Sequence, residues 1–317
     1  MKAKARAYTN IALIKYWGKK QEELKIPFQS SLSLTLEEFY TETTVFYDKT
    51  LNEDILYING IKQEKNKLAR VANFMDWIRK EYHIPFYARI ESVNKVPEAA
   101  GLASSASAFA ALAQAALLAY GIKLNKKELS KVARVGSGSA SRSIYPGFVM
   151  WQAGKSHETS YAKPLSVKWD SFRMIFCLID ENEKQFLSSQ TMKETVEKSP
   201  FYKEWVKESK KDLSMMKKAL YEKDIFKVGE IAQSNALKMH ATILSIGKWY
   251  FNPETIKIMN ILYELQKNGI PAYFTMDAGP NIKIMTEEKY VDTIIEKIQP
   301  VSYKVSKAGL GVSGYEK

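Results

Sequence analysis

The chain has 317 residues, 45% hydrophobic and 26% charged, with only 15 glycines and 10 prolines, which excludes a disordered or fibrous protein and allows one large core or two smaller ones. A formal net charge of +12 points to an anionic partner: nucleic acid, an acidic membrane surface or small polyanions. The lysines are scattered, and no zinc spacing or RNA-binding motif accompanies them, so nucleic acid is not expected.

The single cysteine, Cys177, lies in the apolar run of residues 174–179. It excludes an intramolecular disulfide and is expected to be a buried structural thiol. The first residues carry no long apolar stretch, so no secretory signal is expected. The Ala-rich segment 105–120 is too short and too interrupted by Ser and Gln to span a bilayer, and a cytoplasmic protein fits best.

Residues 4–9 alternate like a half-buried strand. Asn10-Ile-Ala-Leu-Ile-Lys-Tyr-Trp-Gly-Lys19 begins as a buried strand and ends with two lysines, a tyrosine and a tryptophan around Gly18. Those lysines either lay their stems on the core, as lysines commonly do, or form a cationic wall for an anionic substrate. Residues 31–36 and 41–47 predict two further strands. Two short apolar runs flanking Asn59-Gly60 predict a type I′ hairpin. Residues 66–82 carry Leu68, Val71, Phe74, Met75, Trp77 and Ile78 at helical spacing, with that face toward the core.

The next stretch, Lys95-Val-Pro-Glu-Ala-Ala-Gly-Leu-Ala-Ser-Ser-Ala-Ser-Ala108, joins a strand-like run at 86–93 to the small-residue helix at 105–120. Strand, Gly/Ser loop and helix N-terminus together offer backbone N–H groups, hydroxyls and a partial positive charge to a phosphate. Gly101 would let the backbone approach the ligand, having no Cβ. A helix opening with Ser-Ser is equally an ordinary N-cap.

Residues 126–135 predict a second helix, with Gly136 as a plausible C-cap. Gly136-Ser-Gly-Ser-Ala-Ser-Arg-Ser143 then places four hydroxyls and Arg142 on a tight backbone. It is either a flexible turn or a second anion site, with Arg142 binding phosphate or carboxylate bidentately. A strand is expected at 147–151, irregular chain at 155–170 and a buried strand at 172–179. The pattern then turns helical at 199–220, 225–244 and 253–267, which suggests domains 1–183 and 184–317. Strands at 272–276, 282–285 and 302–305 and a helix at 288–298 complete the chain. Asp277 meets an Ala-Gly-Pro turn at a strand end. Its role is either turn chemistry or that of a carboxylate held to orient or deprotonate a hydroxyl. His240 sits on a helical face with no partner ligands at zinc spacing, and His83 and His157 show no pattern.

Pro97-x-x-Ala-Gly-Leu-Ala-Ser-Ser-Ala-Ser107 resembles the phosphate loop of the GHMP kinase superfamily. Four further segments are similar to the mevalonate diphosphate decarboxylase family within it: the stretch 10–19, the stretch 136–143, Met239-His-Ala-Thr242 and Phe274-Thr-Met-Asp-Ala-Gly-Pro-Asn281. They run in the family's order and span most of the chain. The resemblance implies an α+β, two-domain GHMP-kinase-like fold: a ribosomal-S5-domain-2-like N-terminal domain carrying the phosphate loop, and a C-terminal α/β sandwich-type domain.

The resemblance also implies ATP-dependent decarboxylation of mevalonate 5-diphosphate through phosphorylation of its C3 hydroxyl, with ATP and Mg2+ as cofactors and a homodimer as the assembly. The alternative is a related GHMP-family kinase or decarboxylase that acts on mevalonate or mevalonate 5-phosphate, or one that stops at the phosphate ester. Asp277 matches the catalytic carboxylate, and Lys15 is expected near enough to favour its ionised form. Asn10, Tyr16, Lys19, Ser137, Ser139, Arg142, Ser188 and Ser189 match the substrate side. Gly101, Leu102, Ala103, Ser104, Ser105 and Ser107 match the ATP side, with Ser92 and Asn94 as further nucleotide contacts. No direct protein ligand for Mg2+ is expected beyond Ser105. One segment departs from the pattern: where the family often has Ser-Ser-Arg-x-Gly-Met, this chain has Ser188-Ser-Gln-Thr-Met192, with Gln190 in the place of the arginine.

Overall fold

The structure, a computed structural model, describes residues 1–95, 104–179, 186–300 and 302–316. Its first half is built on β1 (Lys2–Ile14), the short pair β2 (Lys19–Gln21) and β3 (Ile26–Pro27), and the long strand β4 (Ser31–Asp48). There follow the hairpin β5 (Ile55–Ile58) and β6 (Ile61–Lys62), helix α1 (Lys65–Tyr82), β7 (Tyr87–Lys95), α2 (Ser104–Ala119) and α3 (Lys126–Gly136). A 3-10 turn over Gly138–Ile144 leads into β8 (Phe148–Gln152) and β9 (Tyr161–Pro164). The second half holds β10 (Phe172–Cys177), α4 (Ser188–Lys198), α5 (Tyr202–Glu222), α6 (Ile225–Leu244), α7 (Pro253–Lys267), β11 (Tyr273–Met276), β12 (Ile282–Glu287), α8 (Val291–Ile298), β13 (Tyr303–Ser306) and β14 (Ser313–Glu316).

The two strands expected at 31–36 and 41–47 are one strand. β4 pairs with β1 along its length, while its other edge pairs with β8 near its start and β7 near its end. The full order is β14-β1-β4-β7-β5-β6, with β8 and β9 branching from β4. β1 and β4 both change burial pattern midway. Residues 2–8 of β1 alternate, but 9–14 are buried on both faces, as are 31–36 of β4. One face of the alternating part is covered by α2, whose alanines meet Ala3, Ala5 and Ala7 in a common core. The doubly buried ends are covered from the far side by α5 and α6, through Met216, Leu220, Val228 and Ile231. Buried apolar surface at this junction, at roughly 25 cal/mol per Å², is what joins the two halves.

The second sheet runs β11-β12-β10-β13. β10 shows why a strand can be a continuous apolar run: Met174 and Phe176 face the α5–α6 core, while Ile175 and Cys177 face α7 and α8. The expected junction at 183/184 falls among residues 180–185, outside the described residues. β10 lies ahead of it yet pairs in the second sheet, and β14 lies behind it yet pairs with β1.

Four expectations are corrected. Gly136 is not a left-handed C-cap: it lies inside α3, and a Cβ there would sit 2.3 Å from the Phe109 ring, so glycine is required for packing. β9 forms within the stretch expected to be irregular. α4 was missed because its apolar positions are few, essentially Met192 and Val196 against a Ser/Thr/Lys/Glu background. β14 is fully exposed and includes Gly314, so no alternation announces it; pairing with β1 makes it a strand.

Candidate active site

Where the two halves meet, a cleft of about 460 Å³ opens. It gathers Asn10, Lys15, Tyr16, Lys19, Ser104, Ser105, Ser137, Ser139, Arg142, Ser188, Ser189 and Asp277, twelve of the residues singled out from sequence. They come from the end of β1 and the residues after it, the start of β2, the N-terminus of α2, the 3-10 turn with its cap Ser137, α4 and the turn after β11.

Asp277 is the cleft's one described carboxylate. Its Oδ1 accepts a hydrogen bond from Lys15 Nζ at 2.7 Å, and Lys283 Nζ lies 3.8 Å from Oδ2. Lys15 is 2% exposed and Lys283 fully buried. Burial pulls the Lys15 ammonium below its ordinary range, while the Asp277 charge works against that pull. Lys283 was not singled out from sequence. Its signal was a lysine inside the apolar strand 282–285, where every neighbour is buried. The main chain of Lys15 is also held: its N–H donates to Asn235 Oδ1 at 2.8 Å, and its carbonyl accepts from Gln29. Asn235 in turn donates to Asp212 and Ser209.

Arg142 is 3% exposed and donates to Asn10 Oδ1 and Ser31 Oγ. Burial brings its guanidinium down to about 10. Asn10 also donates to the Ser139 carbonyl and to Ser143 Oγ, so both ends of its amide hold the 3-10 turn in place. Tyr16 packs edge-on to Trp151, with ring centroids 4.8 Å apart; its buried hydroxyl has no hydrogen-bond partner among the described residues. Burial raises the Tyr16 phenol well above its ordinary range. A Cβ on Gly138 would lie 2.9 Å from both rings, which is why the turn needs glycine there. Gly18, at φ +102°, passes under Tyr202, whose hydroxyl donates to the Trp17 carbonyl at 2.7 Å.

The hydroxyls of Ser105, Ser137 and Ser139 lie in sequence at 3.4 Å spacings, joining the N-terminus of α2 to the 3-10 turn. Lys25 and Arg70 complete the cationic lining; neither was singled out, since charges in a turn or on an amphipathic helix are usually solvated. Ser107 does not line the cleft. It is fully buried and stitches α2 to Thr9 and Thr41. Ser92 and Asn94 lie along β7, engaged with Thr43 and Thr41 on β4. Gly101, Leu102 and Ala103 lie outside the described residues. Gln190 is exposed, donates to Glu194 and does not line the cleft. His240 is buried behind the site, 5.0 Å from the Phe251 ring, and burial holds its imidazole down to about 4.

Chemically, one wall carries a carboxylate between two ammonium groups, and facing it are a helix N-terminus and a hydroxyl row beside a cationic rim. That is the apparatus of phosphoryl transfer, which depends on positioning and charge stabilisation. On an α+β fold with this arrangement, it defines a GHMP-kinase-type site. A family model described as the diphosphomevalonate decarboxylase-like N-terminal domain matches residues 7–162, and one described as the mevalonate 5-diphosphate decarboxylase C-terminal domain matches residues 174–311. The chain belongs to the diphosphomevalonate decarboxylase family. The diphosphomevalonate decarboxylase of Debaryomyces hansenii is 34% identical, covering 95% of this chain and 84% of its own; the human one is 33% identical, covering 93% and 78%. Among solved structures, MDDEF in complex with MVAPP, AMPPCP and magnesium superposes with a TM-score of 0.97 at 44% identity, covering 100% of this chain and 99% of that one. Mevalonate diphosphate decarboxylase from Staphylococcus aureus gives 0.95 at 45% identity, covering 99% and 98%.

Proposed function

We propose that this chain converts mevalonate 5-diphosphate and ATP to isopentenyl diphosphate, ADP, phosphate and CO2, as part of the mevalonate route to isoprenoids. The observation that carries it is the Lys15–Asp277 pair facing the cleft that also holds the N-terminus of α2 and the cationic rim.

Asp277 accepts the proton of the C3 hydroxyl as that oxygen attacks the γ-phosphorus of ATP. The C3–O bond then breaks with its electron pair leaving on phosphate. The electrons of the bond to the carboxylate move into the new C=C bond, and CO2 departs. No further base is needed for that step. Lys15 and Lys283 hold Asp277 in place and balance its charge. Tyr16, Lys19, Ser137, Ser139, Arg142, Ser188 and Ser189 take the acceptor, with Asn10 holding the turn that presents Arg142. Ser104 and Ser105, with the positive end of α2, take the ATP phosphates.

The donor set fits Mg2+ arriving on nucleotide. No group of three His, Cys, Asp or Glu able to hold a metal is found among the described residues, and hydroxyls line the phosphate side. Mg2+ keeps several waters and prefers phosphate oxygens. Ser105 would then be the candidate protein oxygen to hold it, and the ion would supply charge neutralisation for the transferring phosphoryl group.

The test measures CO2 and ADP together with Mg-ATP and mevalonate 5-diphosphate, with mevalonate 5-phosphate as a second arm. Equal amounts of CO2 and ADP are expected from the diphosphate. ADP without CO2 would make the chain a kinase, and release from the monophosphate alone would change the substrate. No helix among the described residues is long and apolar enough to cross a membrane. A cytoplasmic homodimer completes the proposal, and sedimentation velocity checks the stoichiometry.

A further inference from the structure

The decarboxylase reading leaves two charges in the cleft without a task, Lys25 and Arg70, and Arg70 stacks on the Phe109 ring. Five described cations line it, Lys15, Lys19, Lys25, Arg70 and Arg142, against the single carboxylate of Asp277. Lys15 is committed to Asp277, Lys19 to Glu22, and Arg142 to Asn10 and Ser31. Lys25 has no ion-pair partner among the described residues; its Nζ donates only to the main-chain carbonyl of Val135. That carbonyl lies two residues before Ser137, whose hydroxyl lines the cleft, so the ammonium is on the same rim. The backbone of Lys25 is left-handed, at φ 52°, in the turn between β2 and β3. A non-glycine residue there is strained, and glycine would fill the position freely. The chain nonetheless places a long cationic side chain at this point. Gln190, where the resemblance expects an arginine, is turned to Glu194 instead.

We propose that Lys25 is a specificity-determining residue that binds the diphosphate of the acceptor substrate, supplying a charge that Gln190 does not. This rests on the decarboxylase reading above. The groups that face Lys25 are Arg70 from α1, Lys19 from β2, Glu22 from the turn that follows it, and Arg134 from α3. Burial, and then the surrounding cations, bring the ammonium down to about 8, with Glu22 alone opposing. A polyanion at this rim stabilises the charged form. The contact is therefore present while Lys25 is protonated and weakens as the pH rises through about 8.

The test uses the full chain with Lys25→Gly and Lys25→Arg, reading CO2 and ADP release. In Lys25→Gly the KM for mevalonate 5-diphosphate rises about tenfold or more, the size expected for one charge-assisted hydrogen bond. The KM for ATP stays within about twofold, and kcat changes less than KM. The melting temperature is unchanged or higher, because glycine removes the strained backbone. The native KM for the diphosphate substrate climbs above pH 8, where that substrate is already fully ionised; Lys25→Gly abolishes the climb, and Lys25→Arg moves it to higher pH. An unaltered KM in Lys25→Gly, or a change confined to ATP, overturns the proposal while leaving the decarboxylase assignment intact. Native protein that releases no CO2 defeats that assignment itself, whatever the Lys25 variants do.

Discussion

The main-chain N–H of Lys15 donates to the side-chain carbonyl of Asn235 at 2.8 Å, across the seam between β1 and α6. Lys15 stands one residue beyond β1, where the strand can no longer fix its backbone. Asn235 replaces the lost ladder bond, and Asp212 and Ser209 fix the amide by accepting from its Nδ2. Lys15 is thus aimed by the half of the chain that carries Asp277. Asn235→Ala leaves a buried N–H and the buried Asp212 carboxylate short of partners, which costs about 1–3 kcal/mol of stability. A fall in kcat larger than any rise in KM is expected as well. Calorimetry and steady-state kinetics check both, and a kcat equal to the native value would end the positioning role.

The proposed mechanism assigns proton acceptance to Asp277. Asp277→Asn keeps the shape but cannot take a proton, and a loss of about 10²–10⁴ in kcat is the usual size for a general base. Near-native turnover in that variant would remove Asp277 from the mechanism.

Under the proposed mechanism the two lysines beside Asp277 are expected to set the acid side of the pH profile. A neighbouring cation favours the ionised carboxylate, so removing one lets the proton be held to higher pH. Lys15→Ala should therefore shift the acid limb of kcat/KM upward. Lys283→Met should shift it the same way by less, since Lys283 lies 3.8 Å from the carboxylate against 2.7 Å for Lys15. An unmoved limb in both variants would show that neither charge acts on Asp277.

How much of this was legible in the sequence depends on whether a residue's neighbours in the chain are also its neighbours in space. The strand-end position of Asp277 and the hairpin at Asn59-Gly60 were legible because turn chemistry is local; both hairpin residues indeed have positive φ. The segment 10–19 was legible as a motif, although its lysines could not be distinguished from snorkelling ones. Asn235 and Lys25 were not legible, since each acquires its role from a partner more than a hundred residues away. Lys283 was not legible although Asp277 is close in sequence, because a lysine inside an apolar strand gives no sign of which buried group it will face. The buried position of Ser107 was not legible either: a hydroxyl in a Ser-rich helix start gives no sign of whether it faces ligand or strand, and here it faces Thr9 and Thr41. β14 was invisible because a pairing edge, rather than its own side chains, makes it a strand.

His240 offers a prediction about stability rather than catalysis. Its ring is 2% exposed, packed against Phe251 and Tyr250, with Lys15, Asp277 and Lys283 close enough to influence it. Burial first, and Lys15 next, hold its folded value down to about 4, against 6.5 for the ordinary imidazole. The unfolded chain therefore binds a proton that the folded chain refuses. Its contribution is complete above pH 6.5 and is lost as the pH falls toward about 4. The interval corresponds to a loss on the order of 2–3 kcal/mol. Replacing the imidazole by an apolar ring of similar size, as in His240→Phe, removes this proton linkage. Unfolding midpoints measured from pH 7 down to 4 should fall more steeply for the native chain than for the variant. Parallel curves would mean that the buried ring is protonated without penalty in the folded protein.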